Sequence, residues 1–497
     1  MGHRVPVWDF KPVSIAGFPT RYTSESRMAT PDRPTPGSKL DSKPFSTLPL
    51  DSALLQALDS LEYKVMTPIQ ALSLPPMLEG RDVIGQARTG SGKTAAYGLA
   101  LLSRIDTRLT KTQALVLCPT RELADQIAKE LRRLARCLPN VKVTILSGGI
   151  SKRPQLASLE HDPHVVVGMA GRVLEHLAAE TLHLADLRVL VLDEADRMLD
   201  ADFEEASRAI VDQAPDTRQT LFFSATFPDA VRGVSRRLQK NPVDATIDTA
   251  TAAGVEETYY EVDPVRRLEA LAQLLDAHRP ESALVFCHTR GDAQEVEKGL
   301  SKKGYSVLAL HGDIEQRDRD EVLVRFANGS CRVLVATDVA ARGLDIKNLA
   351  AVISYELPLD PDAHIHRVGR TGRAGSKGIA LHLFSPREVS RLVAIEKRLG
   401  TKAVLGKLSR PESGGSPLAA NFVTLCIDGG RSDKLRPGDI LGALTGEAGI
   451  PNDAVGKINT YDTRTYVAIT KPMAKLAMKR LQDGKIKGKR FRTRLVE

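Results

Sequence analysis

The chain has 497 residues, 42% of them hydrophobic; that suits two to four packed domains and excludes a chain disordered throughout. No apolar run approaches the roughly 18 residues of a membrane span, the N-terminus lacks a secretory pattern, and five scattered cysteines (Cys118, Cys137, Cys287, Cys331, Cys426) with no Cys-x-x-Cys pair support neither a zinc site nor a disulfide framework, so a reduced cytoplasm is the expected compartment. The net charge of +9 is uneven: residues 419–497 hold fifteen Lys/Arg against eight Asp/Glu, while the other 418 residues carry only +2.

Residues 1–42 carry Pro6, Pro12, Pro19, Pro31, Pro34 and Pro36 among many Ser and Thr, with no hydrophobic period. A disordered N-terminal extension is expected there, holding Trp8, the single tryptophan. From residue 43 short apolar runs alternate with helical periods: Ala114–Leu117, Val141–Leu146, Val165–Val167, Val189–Leu192 and Leu221–Phe223, then, after a Thr/Ala/Gly linker at 246–258, Ala283–Phe286, Ser306–Leu310, Val333–Ala336, Ala351–Ser354 and Ile379–Phe384. Buried strands between amphipathic helices predict two parallel α/β domains, 43–247 and 256–400. A Pro/Gly stretch, 401–418, is read as a second linker, and 419–497 as a separate basic module.

Three stretches carry chemistry. Ala87-Arg88-Thr89-Gly90-Ser91-Gly92-Lys93-Thr94 lies between the strand-like Asp82–Gly85 and a helix-like Ala95–Ile105, the setting of a phosphate-binding loop for ATP. Lys93 is expected on the β/γ-phosphates and the Thr94 hydroxyl on Mg²⁺. Asp193-Glu194-Ala195-Asp196 closes the run Val189–Leu192, where carboxylates meet the ligand crevice of an α/β sheet. Asp193 is placed to hold Mg²⁺, and Glu194 to orient or deprotonate the attacking water. In the second domain His366-Arg367-Val368-Gly369-Arg370-Thr371-Gly372-Arg373 puts three arginines within seven residues. Arg370 and Arg373 suit reaching across a cleft to the γ-phosphate, so hydrolysis would require closure of the two domains.

With these motifs the chain resembles the DEAD-box ATP-dependent RNA helicases of superfamily 2, over residues 43 to 497, and implies two tandem RecA-like domains. Thr67-Pro68-Ile69-Gln70 looks like the family's Q motif, which implies that Gln70 reads adenine and that Phe45 stacks on it; an ordinary core aromatic is the other reading of Phe45. By the same resemblance Gly343 and Asp345 of Thr337–Asp345 approach the nucleotide. Pro119, Thr120 and Arg121, the pair Gly148-Gly149, and Thr337 and Asp338 would hold the RNA backbone. Ser224 and Thr226, with Asp196 and His366, would couple hydrolysis to strand separation. Two departures stand out. Met169-Ala170-Gly171-Arg172 replaces the usual Thr-Pro-Gly-Arg, leaving Gly171 and Arg172 as RNA contacts and predicting a weaker grip. Glu62 stands where a glycine is usual, which puts the local turn in doubt.

Within the family the likeness is greatest to the bacterial DbpA group, through His311–Asp320, Thr424–Gly430, Leu435–Asp439 and Lys485–Lys489. Residues 421–497 read strand, helix, strand, strand, helix, strand, the order of a small α+β RRM-like domain, though without an obvious aromatic RNP consensus. Tyr461 and Tyr466 are either stacking residues or half-buried sheet residues. Lys485 to Arg494 holds six cations and no acid; of these Lys485, Lys487, Lys489, Arg490 and Arg492 are expected on RNA phosphates, a solvated face being the alternative. The resemblance implies an enzyme using ATP and Mg²⁺, and a monomer is expected. Its partner would be structured RNA, a 23S rRNA hairpin within large ribosomal subunit precursors, and no membrane. A general structured-RNA helicase and an ATP-gated RNA clamp are the competing readings.

Overall fold

The computed structural model describes residues 43–496 except 89, 150, 199–200, 248–254, 342–348, 373–377, 409–416 and 447–448, and except the side chains of 201–202. The N-terminal extension therefore lies outside the described residues.

The first domain is a seven-stranded parallel sheet of β1 (Val83–Gln86), β2 (Ala114–Leu117), β3 (Val143–Leu146), β4 (Val165–Gly168), β5 (Val189–Asp193), β6 (Gln219–Ser224) and β7 (Val243–Thr246), in the order β3-β4-β2-β5-β6-β1-β7. Its central strands are buried on both faces, which is why they read as unbroken apolar runs. Two separate apolar clusters cover those faces. The order makes β5, β6 and β1 neighbours, so the segments that follow them emerge side by side at one edge.

The second domain is a six-stranded parallel sheet of β8 (Val255–Glu261), β9 (Ala283–Cys287), β10 (Val307–Leu310), β11 (Val333–Thr337), β12 (Ala351–Ser354) and β13 (Gly378–Phe384), ordered β10-β11-β9-β12-β13-β8. Strand β8 corrects the linker reading of 246–258: residues 255–258 belong to an edge strand paired with β13. An edge strand of sequence VEETYYE is half exposed and polar, so no apolar run announced it. The second linker is likewise partly tied down. Tyr259 N donates to Val404 O at 2.9 Å and Gly406 N to Tyr259 O at 2.8 Å, extending the sheet edge.

The third unit is an antiparallel sheet of β14 (Phe422–Ile427), β15 (Val455–Thr460), β16 (Thr465–Thr470) and β17 (Thr493–Val496), ordered β15-β16-β14-β17, with helices Pro437–Thr445 and Ala474–Asp483. This is the expected βαββαβ order. Register places Leu425, Val467 and Leu495 on the helix-covered face, and Cys426, Tyr466 and Arg494 on the other.

Candidate functional site

Strand β1 feeds residues 87–92 into the helix Lys93–Ser103, whose N-cap is Gly92 with φ +95°. A Cβ at Gly92 would lie 2.5 Å from Gln70 Nε2 and 3.2 Å from Thr67 Oγ1, so both conformation and space require glycine there. Gln70 Oε1 accepts from Thr67 N at 2.8 Å and its Nε2 donates to Gly92 O at 3.1 Å. Gln70 thus caps the helix Pro68–Leu78 and clasps the loop at once. Lys93 is buried and its Nζ donates to Ala87 O at 2.6 Å. Ser91 Oγ is buried with no hydrogen-bond partner among the described residues. Gly90 also adopts a left-handed conformation, Thr94 and Arg88 are half-buried, and Phe45 sits in the domain core at 3% exposure. Thr89 lies outside the described residues.

Strand β5 delivers Asp193 beside this loop. Its Oδ1 accepts from Glu194 N at 2.9 Å and its Oδ2 from the Tyr97 hydroxyl at 2.8 Å. Burial pushes the Asp193 carboxyl up to about 6, against the pull of the Lys93 ammonium. Glu194 takes a left-handed φ of +55° and is buried, and its Oε2 has no partner among the described residues. Tyr97 was missed in the sequence, where it is one apolar position on a helix. The only available signal was a hydroxyl one turn after Lys93.

The first and second domains touch at Asp196, just after β5. Its Oδ2 accepts from Thr226 Oγ1 at 2.5 Å and lies 2.7 Å from His366 Nε2 across the cleft, while Asp196 N donates to Ser224 Oγ at 3.3 Å. Burial alone would raise the Asp196 carboxyl, but the His366 imidazole outweighs it and holds the group well below the usual range. A second crossing joins Arg319 Nε to Glu122 Oε1 at 2.7 Å. Arg370 is buried at 5% exposure; Arg373, Gly343 and Asp345 lie outside the described residues. Arg367, 1% exposed, bonds both carboxylate oxygens of Asp338 at 2.7–2.8 Å. The Asp338 carboxylate is thus taken up by a buried arginine, which leaves the expected RNA contact of this residue to its backbone. Thr337 is also buried, its Oγ1 accepting from Ala340 N at 3.3 Å.

On the other expected RNA elements, Pro119 and Thr120 precede the helix Arg121–Leu134, which Thr120 Oγ1 caps through Leu123 N. A Cβ at Gly148, Gly149 or Gly171 would meet nothing within 4 Å, so these backbones are open to close approach. Arg172 pairs with Glu175 at 3.2 Å. Met169, at the N-cap of the helix Ala170–Ala178, supplies no side-chain capping bond.

The third unit lays its helix-free face on the second domain. Thr424 Oγ1 donates to Ser330 Oγ and accepts from Asn328 Nδ2, both at 2.9 Å; Cys426, Tyr466 and Val496 pack on Val324; Arg494 pairs with Glu321. The stacking reading of Tyr466 is thereby corrected, since the ring is 5% exposed and its hydroxyl meets Glu321 at 3.3 Å. Tyr461 stays 46% exposed at the sheet edge. It lines a cleft of about 1090 Å³ between this unit and both RecA-like domains, together with Arg121, Lys129, Arg431, Lys434, Lys457 and Lys487. Lys485, Lys489, Arg490 and Arg492 are exposed, whereas Lys487 is paired with Asp439 at 2.9 Å.

Comparison with known proteins gives a consistent result. Residues 67–234 match a family model described as DEAD/DEAH box helicase, 266–375 the helicase conserved C-terminal domain, and 424–495 the DbpA RNA binding domain. The chain is 51% identical over 456 residues to the ATP-dependent RNA helicase DbpA of Escherichia coli, covering 91% of this chain and 99% of that protein. It is 42% identical over 369 residues to the DEAD-box ATP-dependent RNA helicase CshA of Bacillus cereus, covering 74% and 70%. The structure of S. cerevisiae Dbp5 bound to RNA and ADP BeF3 matches with TM-score 0.68 at 30% identity, covering 73% of this chain and 96% of that one.

Proposed function

We propose that this chain, which belongs to the DEAD-box ATP-dependent RNA helicases and carries a DbpA-type RNA-binding domain, opens short duplexes next to a 23S rRNA hairpin during assembly of the large ribosomal subunit. The reading is of a cytoplasmic monomer divided into the domains 43–247, 256–400 and 419–497. Among the described residues no helix is long and apolar enough to cross a membrane.

The observation that carries the ATP-coupled part of this reading is the 2.7 Å contact of His366 with Asp196, which joins the second domain to the carboxylate cluster beside the phosphate loop; the ribosomal target rests on the DbpA-type domain at residues 424–495. ATP and Mg²⁺ fit the donors present: Ser91 Oγ and Glu194 Oε2 are buried polar atoms with no partner among the described residues, next to a lysine and a carboxylate. Thr94 and Asp193 would hold Mg²⁺, which supplies neutralisation of phosphate charge. Lys93 leaves Ala87 O for the phosphates, Glu194 orients the attacking water, and Arg370 stabilises charge developing on the γ-phosphate. Asp196, Ser224, Thr226 and His366 then tie that step to domain closure, which distorts a bound duplex. Open backbone at Gly148, Gly149 and Gly171 suits phosphates, which fix position but carry no sequence information. Selectivity is therefore assigned to the basic module, through its exposed tip and the Arg431–Lys487 side of the cleft.

The test is the steady-state ATPase rate without RNA, with a generic structured RNA, and with a 23S fragment containing the hairpin. Selective stimulation by the fragment is expected. Equal stimulation by both RNAs would remove the ribosomal target and leave a general RNA remodeller. Duplex release with ATP but not with a non-hydrolysable analogue is expected; its absence would leave an RNA clamp.

A further inference from the structure

The second domain contains a polar cluster that none of the nucleotide or RNA roles uses. Strands β8 and β13 pair with Tyr259 opposite His382, and alternation puts Glu257 on the same face as Tyr259. The helix Pro361–Val368 covers that face and contributes His364. Glu257 Oε1 lies 2.8 Å from His364 Nε2 and 3.4 Å from His382 Nε2, and it accepts the Tyr259 hydroxyl. The Tyr259 oxygen is 3.4 Å from His364 Nε2. One ligand atom each from Glu257, His364 and His382 thus falls within 4.8 Å of the others. Both imidazoles are fully buried, and beyond the long 3.4 Å approach to Glu257 Oε1, His382 Nε2 meets no other hydrogen-bond partner among the described residues.

The geometry points to a site for a first-row transition metal ion of the zinc class, held by Glu257, His364 and His382 with Tyr259 as an optional fourth donor. Tetrahedral zinc, bound at about 2.0–2.2 Å, sets its ligand atoms roughly 3.3 Å apart, and the separations of 2.8 and 3.4 Å bracket that value. Two imidazoles with one or two oxygens suit zinc or a neighbouring ion rather than Mg²⁺ or Ca²⁺, which take oxygen shells. His382 Nδ1 is held by Ser354 Oγ at 3.0 Å, the outer contact that orients a ligating histidine. A cleft of about 250 Å³, lined by Glu257, Tyr259 and His364, gives an ion a way in. Arg88 of the phosphate loop lines the same cleft, and His364 stands two residues before His366, so the site lies between the nucleotide loop and the coupling helix. The absence of Cys-x-x-Cys spacing hid it, because its ligands come from two strands and a helix, with Glu257 more than 100 residues before the two histidines.

The nucleotide-free full chain is equilibrated with Zn²⁺ or Co²⁺, passed through a desalting column and assayed for metal. One retained equivalent is expected, with a tetrahedral Co²⁺ absorption spectrum and paramagnetically displaced ring protons from two histidines. His382→Gln and Glu257→Gln each alter a ligand itself, so each is expected to weaken binding by more than the roughly 10–100-fold typical of losing an outer-shell partner. Absence of retained metal, wild-type retention in both variants, or Co²⁺ that displaces no imidazole resonance would each overturn the site. The resonance measurement uses the unaltered chain, so it decides the matter even where a variant fails to fold.

Discussion

Tyr97→Phe removes one hydroxyl from a fully buried ring and leaves its packing against Phe223, 5.3 Å away, in place. What disappears is the 2.8 Å bond to Asp193 Oδ2. A hydrogen bond to a charged group is worth about 1.5–3 kcal/mol, and its loss penalises only the ionised carboxylate, so the Asp193 carboxyl rises by roughly one to two further units. It starts from about 6, so Tyr97→Phe would leave it largely protonated near neutrality. A neutral Asp193 attracts neither Lys93 nor hydrated Mg²⁺. The assay is kcat/KM for ATP from about pH 5 to 9. The acidic limb is expected to move up by about one unit or more, with activity recovering at the alkaline end. An unmoved acidic limb in a variant with unchanged Tm would refute the reasoning. Stability carries its own sign: a carboxyl raised by burial favours the folded state while protonated. That contribution is complete below the unfolded value near 4 and is lost as pH rises through about 6, a change of about 3 kcal/mol for Asp193 without nucleotide.

Three further outcomes are expected. His366→Ala breaks a buried inter-domain pair while Asp196 keeps Thr226 and Ser224, so a loss of about 3 kcal/mol should lower RNA-stimulated kcat by roughly two orders of magnitude and leave ATP binding within a few-fold, checked by steady-state turnover and nucleotide titration. Glu62 adopts a φ of +61°, so Glu62→Gly should stabilise the fold by up to about 1 kcal/mol; a lower Tm would mean that its side chain makes a compensating contact. Replacing Lys485, Lys489 and Arg490 together by alanine should flatten the salt dependence of RNA affinity by roughly two in log–log slope without changing RNA-free ATPase, and an unchanged slope would show that these cations do not meet phosphate.

Motifs whose chemistry sits in contiguous residues were legible directly. The strand–loop–helix around Gly92 and Lys93, the carboxylates ending β5, and the βαββαβ order of the third unit all follow from local pattern, because backbone conformation and side-chain periodicity are short-range properties. The turn at Glu62, left in doubt by the missing glycine, was settled by the structure: the glutamate takes the left-handed conformation. The tertiary structure alone decided which groups spend their polar atoms on one another. Arg367 was read beside Arg370 as part of one arginine run, yet packing buries it on Asp338 and ties up that carboxylate. The same applies to Tyr97 on Asp193, 96 residues apart; His366 and Asp196, 170 apart, were grouped through the resemblance, and the fold supplied their direct contact. The helix-free face of the third unit, including Tyr466, is covered by the second domain because Thr424, Asn328 and Ser330 satisfy one another there, with Val324 against Cys426 and Val496. Whether a residue type can do a piece of chemistry is a property of its own bonds; whether it is free to do it depends on a partner brought by the fold from a distant part of the chain, and no local pattern carries that information.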